Sequence, residues 1–214
     1  PVESIIEMHL NWEDAVIRLK AHDDYPQEFE QAFGTSKITK ELVTKAIAQF
    51  ERSLISNKSK FDKFLRGNME LTPLELAGYN LFLSEKAECF HCHGRPLFTD
   101  DDLHNNGLDV YPDDGQFSVT SKTYDKGKFR TPTLRNIEFT APYMHDGRFE
   151  TLEEVVDFYS DGIKTSSTVD PLMPNHTGGF HWTQLEKIQL ISFLQTLSDT
   201  SFTNNIEFSN PFGN

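Results

Sequence analysis

The chain has 214 residues, and its 37% hydrophobic and 25% charged residues are the proportions of an ordinary globular protein. A formal net charge of −13 at pH 7 argues against a nucleic-acid partner, because there is no basic stripe to neutralise phosphates. No apolar run approaches the ~20 residues that a membrane-spanning helix needs, so no membrane span is expected.

Helical signals recur along the chain, whereas strand signals are few. The first helix is predicted from a Thr39 N-cap and from apolar residues that share one helical face: Ile38, Leu42, Ala46, Phe50 and Leu54. A second helix is predicted where Thr72 and Glu75 form a capping box around Pro73 at the first helical position. These signals predict a mostly α-helical fold.

The segment Cys89–His93 has the Cys-x-x-Cys-His pattern of covalent c-type haem attachment. This spacing presents two thiols to the two vinyl groups of one porphyrin edge, and it carries the imidazole of His93 beneath the ring as the proximal iron ligand. Cys89 and Cys92 are the only cysteines in the chain. Two other interpretations stay open: a redox disulfide, which usually follows a strand, and a zinc site, which needs a fourth ligand.

Periodicity disappears between Phe98 and Arg130, where Asp, Asn, Gly and Pro dominate. A structureless stretch of this length is usually functional or disordered. Because it directly follows the haem motif, we expect it to cover the haem edge. The acidic triplet Asp100–Asp102 is interpreted as a solvated turn, since the EF-hand calcium loop is absent. His104 is expected on the surface.

Two further capping boxes predict helices in the last third of the chain. Thr151 and Glu154 begin one that ends near Asp161. Thr183 and Glu186 begin the other, and its inward face is expected to carry Leu185, Ile188, Ile191 and Leu194.

Seven segments run in order along almost the whole chain: Ile6–Met8, Ala46–Leu54, Phe61–Leu65, Cys89–His93, Gly115–Thr120, Phe129–Asn136 and Thr140–Gly147. Together they resemble the bacterial di-haem cytochrome c peroxidases and the related MauG-type enzymes. The resemblance implies a cytochrome c-like helical domain with long irregular loops around one covalent haem.

Members of that family carry two haem domains, each with its own Cys-x-x-Cys-His. Peroxide reacts at the N-terminal haem, and the C-terminal haem accepts electrons. The matches here belong to the C-terminal half, so we expect an inter-domain segment over residues 1–70 and a haem domain over residues 71–214. The N-terminal domain, with a second haem c, is expected to be missing.

The resemblance implies a periplasmic enzyme that reduces hydrogen peroxide with electrons from a small cytochrome c or cupredoxin-type protein. The acidic charge is compatible with a cationic partner of that kind. Pro1 and Glu7 match the proline and the acid-base glutamate placed over the peroxide-reacting haem, so Glu7 is the candidate catalytic residue. Without that haem the fragment alone is expected to be inactive, and we interpret the chain as a mature or trimmed product.

The sixth ligand of the haem separates two subfamilies, methionine in the peroxidases and tyrosine in the MauG-type enzymes. The matching position is Tyr159, on the inward face of the predicted helix that follows Thr151. Met144 and Met173 are the alternatives. Methionine raises the haem potential, whereas an anionic oxygen ligand favours ferric iron and lowers the potential.

Other polar residues have expected roles around the haem. His145 is a candidate for a hydrogen bond near it, and Arg130 and Arg135 could each pair with a propionate or form an ordinary ion pair. The family also binds calcium, and the backbone carbonyls of Thr140 and Pro142 match its ligands.

Three alternatives stay open beside the peroxidase interpretation. One is a MauG-type enzyme that oxidises residues of a partner protein, which ligation by Tyr159 would favour. Another is a stand-alone single-haem electron carrier. The third is a haem-free disulfide or metal protein. The oligomeric state is also open, a homodimer included.

Overall fold

The computed structural model of the chain describes residues 2–5, 7–173 and 178–210. By its internal contacts the chain divides into two compact units, Pro1–Ile55 and Ser56–Asn214, and each is described by itself. The expected domains, residues 1–70 and 71–214, and the expected absence of an N-terminal haem domain stay predictions.

Helices dominate the described residues, which form nine α-helices and two short strands. The helices are α1 (Trp12–Ala21), α2 (Tyr25–Phe33), α3 (Lys40–Ser53), α4 (Lys60–Leu65), α5 (Pro73–Phe82), α6 (Phe117–Thr120), α7 (Leu152–Asp161), α8 (Gln184–Gln195) and α9 (Thr200–Thr203). The strands β1 (Leu103–His104) and β2 (Phe129–Arg130) pair antiparallel, with Leu103 opposite Arg130. The predicted mostly α-helical fold is confirmed.

The first unit contains α1, α2 and α3. Helix α2 ends at Gly34, whose φ of +71° suits a residue without a side chain. Helix α3 begins after Thr39, whose hydroxyl accepts a hydrogen bond from the Leu42 amide, as the sequence predicts. Ile38 is buried before this helix, while Phe50 within it is 50% exposed.

The second unit contains the remaining helices and both strands. Capping boxes begin three of its helices at the predicted residues: Thr72 with Glu75 for α5, Thr151 with Glu154 for α7, and Thr183 with Glu186 for α8. In each, the threonine hydroxyl accepts from a backbone amide of the first turn, and the glutamate accepts from the N-cap amide. Helix α7 ends at Asp161, also as predicted.

The core of this unit is aromatic and lies between α4, α5 and α8. Phe61 makes edge contacts with Phe98 and Phe193, at centroid distances of 5.6 and 5.4 Å. Gly78 in α5 permits the close approach of α8, because a Cβ there would lie 1.9 Å from the Gln189 carbonyl oxygen. The haem motif begins seven residues after α5, so this core positions it.

One prediction about α8 is wrong. Leu185 and Ile188 were expected to face inward, but they are 58% and 43% exposed. The buried face instead carries Leu190 and Phe193, while Ile191 and Leu194 pack only partly against the core. Phe193 lies on the buried face because its ring packs on Tyr79 and Phe82 of α5, at centroid distances of 5.2 and 5.1 Å.

Among the described residues, no helix combines the length and the apolar character needed to cross a membrane.

Candidate haem-binding site

The Cys-x-x-Cys-His motif forms a short 3-10 turn that begins after Glu88. Glu88 itself has a left-handed backbone, with φ of +53°, and residues Cys89–His91 follow in the 3-10 conformation. The His93 amide then donates to the Cys89 carbonyl at 2.9 Å. The turn thus brings both cysteines and the histidine onto one short segment.

The ring of His93 is oriented by a backbone carbonyl. Its Nδ1 lies 2.9 Å from the carbonyl oxygen of Phe98. A carbonyl only accepts, so Nδ1 carries the proton and Nε2 keeps its lone pair. Burial lowers the pKa of His93, which favours the neutral ring. Histidine ligands of metals are commonly anchored in this way through the ring nitrogen that does not bind the metal.

The two cysteines are partly buried thiols. Neither forms a disulfide. Burial raises the pKa of both Cys89 and Cys92 to about 12. Redox Cys-x-x-Cys pairs have a lowered thiol pKa instead. The surroundings therefore fit covalent anchoring of a haem better than thiol-disulfide exchange.

A strap of chain, residues 129–136, fixes the segment that follows the motif. The Leu134 amide donates to the Phe98 carbonyl at 3.3 Å, the same oxygen that orients His93. Thr131 contributes twice, because its amide donates to the Asp102 carbonyl and its own carbonyl accepts from the Thr99 hydroxyl. The strap therefore holds the acceptor on which the orientation of His93 depends.

Tyr159 faces the motif from α7. It packs against the same aromatic core as Cys89. Burial, with a smaller contribution from the neighbouring Cys89 and Cys92, raises the pKa of Tyr159 to about 12, although a hydrogen bond from Asn106 lowers it. The Asn106 amide nitrogen lies 3.1 Å from the Tyr159 hydroxyl oxygen. The Tyr159 hydroxyl thus lies near both cysteines of the motif, with an amide donor beside it.

The two methionine candidates lie close to Tyr159. Met144, Met173 and Tyr159 all pack, partly buried, against the cluster formed by Leu108, Phe158 and Ile163. The Asn106 amide nitrogen also lies 3.7 Å from the Met144 sulfur. The structure thus gathers all three candidates for the sixth ligand, and the choice of Tyr159 stays a prediction.

Arg135 is satisfied inside the protein. Its guanidinium makes two 3.0 Å bonds to the Asp62 carboxylate, and its remaining N–H groups donate to the carbonyls of Ser56 and Pro96. All five donors are then used, which favours the ion-pair alternative over a propionate contact. Arg130, by contrast, is 70% exposed and pairs with Asp101.

The remaining predicted residues have various surroundings. His145 stacks on Phe129 with ring centroids 3.8 Å apart, and its Nε2 lies 3.1 Å from Asp113. Thr140 and Pro142 are exposed. Glu7 is an exposed residue of the first unit, and Pro1 lies outside the described residues. The expected roles of all these residues stay predictions.

His104 differs from the surface residue that was expected. Its side chain is 21% exposed, and its ring nitrogens lie 2.6 Å from Asp170 and 2.8 Å from Asp100. Although burial opposes it, these carboxylates raise the pKa of His104. One of its ring nitrogens, the Cys92 sulfur and an Asp100 oxygen lie within 4.8 Å of one another.

Sequence reasoning missed two further residues of the site. The Phe98 carbonyl could be anticipated only in kind, because histidine ligands commonly donate to a carbonyl. Asn106 lies in the aperiodic segment, where no pattern indicates which side chain turns inward.

The helical fold and the Cys-x-x-Cys-His segment are those of a cytochrome c-like domain. Residues 1–70 match the family model described as di-haem cytochrome c peroxidase. The chain is 36% identical to the methylamine utilization protein MauG of Methylorubrum extorquens over 202 residues, 92% of this chain and 56% of the relative. It is 37% identical to the cytochrome c551 peroxidase of Nitrosomonas europaea over 163 residues, 73% of this chain and 48% of the relative.

A solved structure gives the same result. A MauG-like protein associated with microbial copper homeostasis superposes with a TM-score of 0.83 at 36% identity, covering 95% of this chain and 66% of that chain. The chain therefore belongs to the di-haem cytochrome c peroxidase and MauG family. It spans about half the length of the curated relatives it matches. The family members named as cytochrome c peroxidases are oxidoreductases that act on peroxide.

Proposed function

We propose that the chain is the C-terminal electron-transfer haem domain of a periplasmic di-haem cytochrome c peroxidase. The observation that carries this proposal is the ring of His93, anchored through Nδ1 on the Phe98 carbonyl beside two partly buried free thiols. A haem c bound there would supply an iron that accepts and passes on single electrons.

Each residue of the site has a proposed role toward that haem. Cys89 and Cys92 would form the two thioether bonds to such a haem, and Nε2 of His93 would bind its iron. Tyr159 is the predicted sixth ligand, with Met144 and Met173 as the alternatives. The aromatic core behind the motif, which includes Phe61 and Phe98, excludes water from this side of the site.

The whole protein, in this proposal, reduces hydrogen peroxide with electrons from a small cytochrome c or cupredoxin-type donor. A second haem c in an N-terminal domain would be the site of peroxide reduction, and Glu7 would move the proton there as acid and base. Calcium bound partly by the carbonyls of Thr140 and Pro142 would lie between the domains. The fragment alone would then be inactive toward peroxide.

A MauG-type enzyme, which oxidises residues of a partner protein, is the second candidate. The specific observation in its favour is the buried Tyr159 hydroxyl beside both cysteines, with an amide donor directed at it. An anionic oxygen ligand lowers the potential of a haem, so such a haem suits oxidised states better than conventional electron uptake.

The test is to produce the chain in a host that attaches haem c, together with the Cys89→Ser/Cys92→Ser variant as control. We expect haem that stays with the parent chain in a denaturing gel and is lost from the variant. A parent chain without covalent haem would contradict the proposal.

The ferric near-infrared spectrum then separates the two candidates. A sulfur-to-iron charge-transfer band would identify a methionine ligand and favour the conventional peroxidase. Its absence, together with a changed spectrum in Tyr159→Phe, would favour the MauG-type enzyme. A parent gene without a second haem motif would instead indicate a single-haem electron carrier.

A further inference from the structure

The side chain of Asn106 contacts two of the three candidates for the sixth ligand. Its Nδ2 lies 3.1 Å from the Tyr159 hydroxyl oxygen and 3.7 Å from the Met144 sulfur. No other residue in the described part of the chain has a recorded hydrogen bond with both. This one amide group therefore lies within reach of both a candidate oxygen ligand and a candidate sulfur ligand of the haem iron.

The residues on either side hold Asn106 in place. Asn105 is buried, and its amide donates to the hydroxyls of Ser166 and Thr168 at 3.2 and 3.0 Å. The Gly107 carbonyl accepts from the Lys164 amide at 2.7 Å, and the Gly107 amide donates to the Asn105 side chain. The backbone of Asn106 is thus fixed at both ends, which makes its side chain a preorganised donor.

Gly107 helps to position Asn106 because it has no side chain. Its φ is +76°, and a Cβ there would lie 2.7 Å from the Lys164 carbonyl oxygen. The segment therefore approaches residues 163 and 164 more closely than an alanine would allow, and this approach directs Asn106 toward α7.

The chemistry of the two acceptors differs. A thioether sulfur is a weak acceptor, whereas a tyrosine oxygen that has lost its proton to ligate a metal is an anionic one. Hydrogen bonds to an ionised acceptor are roughly twice as strong as neutral ones. An N–H group equally available to both therefore stabilises ligation by the tyrosine oxygen more than it stabilises the methionine.

We propose that Asn106 is a positioning residue that selects the Tyr159 oxygen over the Met144 sulfur as the sixth ligand of the haem held by His93. This inference rests on the proposed haem binding. It goes beyond that proposal by naming the residue that decides whether the sixth ligand is a tyrosine or a methionine.

The test uses the haem-loaded full chain and replaces Asn106 by leucine, which removes the donor at similar size. We expect the preference for oxygen over sulfur to fall about tenfold, because a charge-assisted hydrogen bond is lost. The sulfur-to-iron band should appear in the near-infrared, and the midpoint potential should rise. Adding Met144→Leu should remove the new band, which identifies the sulfur.

Two further variants make the result specific. Asn106→Asp keeps the size but puts a carboxylate beside the ligand oxygen, and it should shift the ligand the same way even where the leucine variant folds poorly. Asn80→Leu changes an exposed asparagine of α5 and should leave both spectrum and potential unchanged.

The outcomes distinguish this inference from the proposed function. A parent chain without haem overturns both. A parent chain whose haem already shows the sulfur band overturns the selection by Asn106 and leaves haem binding standing. A parent chain with oxygen ligation, whose spectrum and potential do not change in Asn106→Leu and Asn106→Asp, shows that Asn106 has a merely structural role.

Discussion

The aromatic core and the loops around the haem motif, both in the second unit, hold their residues in place by different means. In the core, Phe82 and Phe193 meet at 5.1 Å between ring centroids and are almost completely buried. In the loops, hydrogen bonds join residues far apart in the chain, such as the Thr99 hydroxyl to the Thr131 carbonyl at 2.7 Å. Apolar packing has little directionality, whereas each hydrogen bond fixes one distance and one angle.

This difference explains the division of roles between the two regions. The core supplies most of the buried apolar surface and holds α5 and α8 together. The loops supply the groups that need exact orientation, namely the Phe98 carbonyl and the Asn106 amide. Substitutions in the two regions should therefore lower the stability of the chain for different reasons.

The largest effect is expected where the loops are anchored to the core, at the pair of Asp62 and Arg135. Their side chains are 8% and 12% exposed. Asp62→Asn would leave the guanidinium buried without a counter-charge, so we expect the free energy of unfolding to fall by about 3–5 kcal/mol. Urea unfolding followed by circular dichroism measures it. A loss below about 1 kcal/mol would mean that the strap is not anchored by this pair.

Nearly as large an effect is expected in the core from Gly78→Ala. The added Cβ would lie 1.9 Å from the Gln189 carbonyl oxygen, and backbone cannot yield cheaply. We expect a loss of about 3 kcal/mol, although alanine is the better helix former by roughly 1 kcal/mol. The exposed Asn80→Ala in the same helix is the control, and equal stability of both variants would refute the close approach of α8.

A smaller effect is expected in the loops from Gly107→Ala. Its positive φ and its close contact with Lys164 should together cost about 1–3 kcal/mol. Gly67→Ala is a matched control, because Gly67 has φ of +72° but nothing within 4 Å of an added Cβ. If the two variants lose the same stability, the cost comes from backbone strain alone and the contact contributes nothing.

Acid should weaken the anchor of the loops gradually. Although burial opposes it, Arg135 and Ser59 lower the pKa of Asp62 below its usual 3.8. The folded chain therefore holds this proton less tightly than the unfolded chain. Its contribution to stability is complete well above pH 3.8 and is lost as the pH falls through the lowered pKa. Asp62→Asn should flatten the pH dependence of the free energy of unfolding below pH 4, and an unchanged slope would contradict this.

The smallest effect is expected for the exposed pair of Arg130 and Asp101. Their side chains are 70% and 57% exposed, so solvent screens the charges. Arg130→Gln should change the free energy of unfolding by less than about 0.5 kcal/mol. A loss comparable to that of Asp62→Asn would show that burial does not distinguish the two pairs.

Local signals in the sequence predicted the helix starts well. The hydroxyls of Thr72, Thr151 and Thr183 cap α5, α7 and α8 because a capping box involves residues only three positions apart. The buried face of α8 was predicted wrongly. That helix has apolar residues around much of its circumference, and the packing of Phe193 on α5, close to Gly78, decided which stripe is buried.

By itself, the sequence determined the helical class, the Cys-x-x-Cys-His segment and the resemblance to the family, because each depends on short segments that can be read without knowing which parts of the chain meet. The tertiary structure decided which carbonyl orients His93, which carboxylate neutralises Arg135 and which amide reaches Tyr159. Those partners lie 5, 73 and 53 positions away. Arg135 and Tyr159 meet their partners only after the core has packed. The Phe98 carbonyl is near His93 in the chain, but the aperiodic segment has no pattern that shows which of its groups turns inward.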